Sequence, residues 1–82
     1  MTETRLVNEF NQMRDKAMSS PSINGKLYLQ SLTDHQLTVF IAGKTMQHGR
    51  DFKSSWENAK CHMKNRERAV TLFSRNIKDT LI

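Results

Sequence analysis

The sequence predicts an all-α fold, a compact domain of three to four helices with a long C-terminal helix, and three observations point there. From Ser54 to Ile82 the apolar residues Trp56, Ala59, Met63, Val70, Phe73, Ile77 and Leu81 recur at steps of three, four, seven, three, four and four. By that spacing a 3.6-residue helix keeps one face against a partner. Helix-start signals stand ahead of three separate apolar runs, at Thr2 or Thr4, at Thr33 and at Ser54. The chain has 82 residues, which places all of it, 1–82, in a single small domain.

The first helix follows from Thr2 or Thr4 as a cap, with Glu3 and Glu9 favouring its positive end. Leu6, Phe10, Met13 and Ala17 make its apolar face, with Val7 and Met18 beside them. Ser19-Ser20-Pro21 ends it, because the residue before a proline avoids the α region. Asn24-Gly25 reads as a turn.

Lys26 to Ala42 admits two readings. Thr33-x-x-Gln36 is a capping box, and Leu37, Phe40, Ile41 and Lys44 continue at helical spacing until Gly43 or Gly49. The alternative is an α+β fold with a central β-hairpin between two helices, its strands near Leu27–Leu32 and Leu37–Ile41. The connection Thr33-Asp34-His35-Gln36 lacks the Asn-Gly or Asp-Gly chemistry of a tight turn, so the helix is preferred. Gly49-Arg50-Asp51 then breaks the pattern, and Ser54-Ser55-Trp56-Glu57 reads as a capping box opening the C-terminal helix, the expected spine of the domain.

The net charge is +5, from 13 basic and 8 acidic side chains. At about 100° per residue, Lys53, Lys60, Lys64, Arg68, Arg75 and Lys78 fall within roughly a quarter-turn beside the apolar seam. Such a stripe suits phosphate contacts, which give affinity and register without sequence information. Glu57, Glu67 and Asp79 dilute it, as on any solvated helix face. Arg66 interrupts the seam between Met63 and Val70. Either its stem lies along the core with the charge snorkelling outward, or it marks where a partner supplies a carboxylate. The candidate contacts to nucleic acid or an acidic partner are therefore Lys60, Lys64, Arg66, Arg68, Arg75 and Lys78. Trp56, Met63, Val70, Phe73 and Ile77 form the seam.

Other chemistry finds little support. One cysteine, Cys61, and three scattered histidines offer no paired metal-ligand spacing, so no metal or cofactor is expected. Ala42-Gly43-Lys44-Thr45 resembles the end of a phosphate-binding loop, but Thr38 stands where the motif needs its first glycine. No nucleophile–base pairing or paired carboxylates suggest an enzyme. The single cysteine precludes an intrachain disulfide. With no basic start leading into an apolar run and no stretch long enough to span a bilayer, the expectation is a cytoplasmic protein. A small domain without disulfides often gains stability from a partner, so a homodimer or a larger host protein is expected.

Two functions fit. One is a small basic non-enzymatic regulator or accessory protein that binds nucleic acid through the stripe. The other is a stoichiometric inhibitor or adaptor that docks its amphipathic helix on a larger host.

Overall fold

The computed structural model describes residues 1–19 and 24–75. These residues form α1 (Glu3–Met18), α2 (Gly25–Ser31), α3 (Asp34–Gln47), α4 (Phe52–His62), a 3-10 turn (Met63–Asn65) and α5 (Arg66–Ser74). Among the described residues there is no strand, and the fold is all-α. Counting Phe52–Ser74 as one helical run, there are four.

The caps explain the boundaries. Thr2 accepts the Arg5 N–H at 3.2 Å and starts α1, which ends at Met18 with Ser19 as its C-cap. Asn24 accepts the Leu27 N–H at 3.1 Å. Asn24-Gly25 is thus the start of α2 rather than a free turn, because the Asn side chain fills an orphan donor that a turn would leave to water. The capping box at Thr33 is complete. Its hydroxyl accepts from Gln36 N–H, and the Gln36 amide oxygen accepts from Thr33 N–H. Lys26 to Ala42 therefore falls in two helices, α2 and α3, separated at Leu32 and Thr33, and the hairpin alternative is excluded.

α3 is the spine, a place the sequence reading assigned to the C-terminal helix. Leu37 to Lys44 are eight consecutive buried residues. A helix buried all round must be covered on every side. α1 lies on it through Leu6, Phe10 and Met13, and α4 lies on it through Ser55 and Ala59. α2 and α5 pack against each other, with Leu29, Ala69 and Val70 buried. The Tyr28 hydroxyl donates to the Met13 carbonyl at 3.3 Å, tying α2 to α1, and burial raises its pKa above the usual phenol value.

The glycines do different work. Gly49, φ +100°, follows α3 in the left-handed region that glycine tolerates, and it ends the helix. Gly43 lies inside α3, where the Phe10 ring sits where a Cβ would point. That ring is 4% exposed and packs tilted against Phe40, centroids 5.9 Å apart.

Gly→Ala inside a helix ordinarily stabilises by up to about 1 kcal/mol. Here the added methyl must displace a packed ring, and overpacking costs about 1–3 kcal/mol. Gly43→Ala is expected to destabilise by about 1–2 kcal/mol in urea unfolding; a neutral or stabilised variant would refute the Phe10–Gly43 contact.

Candidate nucleic-acid interface

The C-terminal helical run begins earlier than its sequence signal. The Asp51 carboxylate accepts the Ser54 N–H at 2.7 Å, so the helix opens at Phe52 and Ser54 lies in its first turn. An ionised carboxylate is a stronger cap acceptor than a hydroxyl and complements the helix dipole. The earlier start also sets Phe52 against the core.

The run is not one straight helix. Asn65 leaves the helical region, φ −134° and ψ 86°, and its side chain caps α5 by accepting the Arg68 N–H at 3.2 Å. The preceding 3-10 turn has about three residues per turn rather than 3.6. The angular relation assumed for a continuous stripe is therefore lost at this point. Lys53 and Lys60 belong to α4, Lys64 to the turn, and Arg68 and Arg75 to the region of α5 and its C-cap. All five are exposed. Lys60 pairs with Glu57 at 3.0 Å, both well solvated. Lys78 and Ile77 lie outside the described residues.

Arg66 does not join that surface. Its Nη1 donates to Asp34 Oδ1 at 2.6 Å, and its Nη2 faces the carbonyls of Leu32, Gln30 and Leu29 at 2.5, 3.3 and 3.5 Å. The carboxylate expected from a partner comes from the same chain. α2 has seven residues and no basic side chain in its last turn, too short to stand alone. Arg66 covers its orphan carbonyls and neutralises the negative end of its dipole. Its place in the seam thus reflects a structural clamp, and it is withdrawn from the candidate contacts.

The seam itself faces inward. Val70 and Ala59 are buried, while Trp56, Met63 and Phe73 are half-buried against the core. Phe73 meets two polar side chains. The His62 ring stands edge-on at 5.1 Å, and the ammonium of buried Lys44 lies 5.3 Å from the ring centroid. Lys44, read in sequence as part of an incomplete phosphate-loop pattern, is thus packed over an aromatic ring.

One basic residue escaped the periodicity argument. Arg50, Lys53, Ser54, Glu57, Asn58 and Cys61 line an open depression of about 380 Å³. Arg50 precedes α4, outside any helical register, three positions before Lys53. Among the described residues no three His, Cys, Asp or Glu side chains converge as metal ligands, and no helix is long and apolar enough to cross a membrane.

No known protein family, characterised protein or solved structure matches this chain.

Two outcomes are expected from the caps. Asp34 is 83% exposed at its side chain, so its ion pair contributes at most about 1 kcal/mol. The carbonyl contacts are shielded and charge-assisted. Arg66→Ala should cost about 2–3 kcal/mol in urea unfolding and Asp34→Ala about 1 or less. Arg66→Lys should recover under half the loss, since one ammonium cannot serve both sides of the fork. Equal losses at Arg66 and Asp34 would show that the ion pair, not the carbonyl cap, dominates.

The hydrogen bond from the Ser54 backbone N–H, then that from its side chain, holds the Asp51 carboxyl below the usual aspartate value, with Lys53 and Arg50 adding to the effect. At pH near that usual value, about 4, the folded state binds fewer protons than the unfolded, so stability rises with pH. The contribution is present above about pH 4 and lost as pH falls below it. Asp51→Asn, which still caps, should match the parent at neutral pH and lose stability less steeply in acid; an unchanged acid slope would contradict this.

Proposed function

We propose that this chain is a small basic, non-enzymatic regulator or accessory protein of the cytoplasm that binds nucleic acid through exposed cations on its C-terminal helical run. The observation that carries the reading is the division of labour among those cations. Lys53, Lys60, Lys64, Arg68 and Arg75 are exposed, while Arg66 among them is spent on the fold. Arg50 and Lys53 add a basic depression to the same side of α4's start. Against these, Asp51 is committed to its cap, Glu57 pairs with Lys60 and so offsets one of the five cations, and Glu67 is the other carboxylate in the described run. Phosphate neutralisation by such side chains yields sequence-independent affinity through counterion release.

A second reading, a protein-binding inhibitor or adaptor, draws on Leu27 at 63% exposure and Leu72 at 40%, on the packed pair α2 and α5. The helix seam first considered for such docking faces the core, so a host would have to engage these two leucines instead.

Fluorescence anisotropy with labelled oligonucleotides tests the first reading. Affinity should fall steeply with salt, with a log–log slope reduced by about 0.9 for each duplex phosphate contact removed. Lys64→Glu/Arg68→Glu should abolish binding while the circular dichroism spectrum is retained. Binding indifferent to salt and to those reversals would refute it, and a host protein recovered through Leu27 and Leu72 with no affinity for nucleic acid would establish the second reading.

A further inference from the structure

The basic flank of α4 carries an aromatic edge. Trp56 is half-buried at the rim of the core, with Ala59 fully buried on one side of it. At about 100° per residue, Lys60 and Lys53 lie roughly 40° and 60° around the helix from Trp56, on the side away from Ala59. The Trp56 position is thus flanked on the helix by two exposed lysines, one a helical turn before it and one a turn after. Beyond Lys53 the surface continues into the open depression, where Arg50 adds a second cation, Asn58 an amide and Glu57 a carboxylate that pairs with Lys60 at 3.0 Å and that a bound phosphate would displace.

We propose that the ligand of this surface is single-stranded nucleic acid, with a base stacked on Trp56 and the flanking phosphates held by Lys53 and Lys60. This rests on the nucleic-acid reading above and specifies its substrate. The chemistry separates strand types. Binding of single strands without sequence preference combines a basic track along the backbone with aromatic faces on which bases stack. A duplex keeps its bases stacked on one another and offers Trp56 no face except at its ends. The α4 helix, eleven residues and about 16 Å long, is long enough for a few nucleotides of flexible strand to run from Lys60 past Trp56 to Lys53 and Arg50.

The chain's single tryptophan makes the test direct. The full chain is titrated at low salt with oligothymidylate of about ten nucleotides, a common length for one small binding site, and separately with a hairpin duplex. Indole fluorescence and anisotropy of the labelled strand are followed together. Quenching by the single strand, reversed by added salt, with tighter binding than to the duplex, is the expected result. Trp56→Leu, which keeps an apolar group at the core rim, should weaken single-strand binding by about five- to a hundred-fold, the worth of one stacked base, and leave duplex binding unchanged. Equal affinity for both forms without quenching, or preference for the duplex, overturns the single-strand assignment while leaving the basic surface intact. Absence of binding to either form at low salt overturns both. The quenching and the strand preference of the parent protein decide the matter even if Trp56→Leu does not fold.

Discussion

Eight successive residues of α3, from Leu37 to Lys44, lie out of water, and everything else in the fold is arranged to keep them there. A helix with no polar face has no stable position at a surface. It needs neighbours on all sides, and in a chain this short each neighbour must come from a short helix. α1 comes close because Gly43 gives its Cβ space to Phe10. α4 comes close because Ser55 and Ala59 are small, and Asn58 reaches Thr45 across that packing with a 3.4 Å hydrogen bond. α2 and α5 pack on each other, α5 reaches α3 through Phe73 at Lys44 and Arg66 at Asp34, and both helices are too short to hold their places without help.

Arg66 supplies that help. Its guanidinium joins three backbone carbonyls at the end of α2, the first turn of α3 and the start of α5. The carbonyl contacts matter more than the ion pair with Asp34, which water screens. The same clamp shapes the surface. It removes one cation from the outer face, and the chain leaves the helical region at Asn65, so the remaining cations are presented by α4, the 3-10 turn and α5.

Much of this was legible in the sequence. The helical class, the α1 face of Leu6, Phe10, Met13 and Ala17, and the capping box at Thr33 each depend on residues within one or two turns of one another. Local hydrogen bonding and 3.6-residue spacing settle such features. Asp51 was legible in principle as well, as a carboxylate three residues before Ser54, but the Ser54–Glu57 box matched a stronger pattern. The break at Asn65 was harder to see, because Met63 and Lys64 suit a helix by propensity, a single Asn is tolerated inside one, and the apolar steps on either side continue in phase.

The sequence by itself determined that the chain is helical, where α1 and α3 begin, and which side chains along Phe52–Ser74 are apolar or charged. Those properties follow from short-range sterics, capping and periodicity. Only the tertiary structure decided that α3 is the covered centre and that Arg66 serves the fold instead of a partner. Each of these depends on groups that are brought together by the fold, as Arg66 is with Asp34 across 32 positions. No local pattern encodes the distance between such groups, because it is set by how the apolar faces of several helices are buried at once.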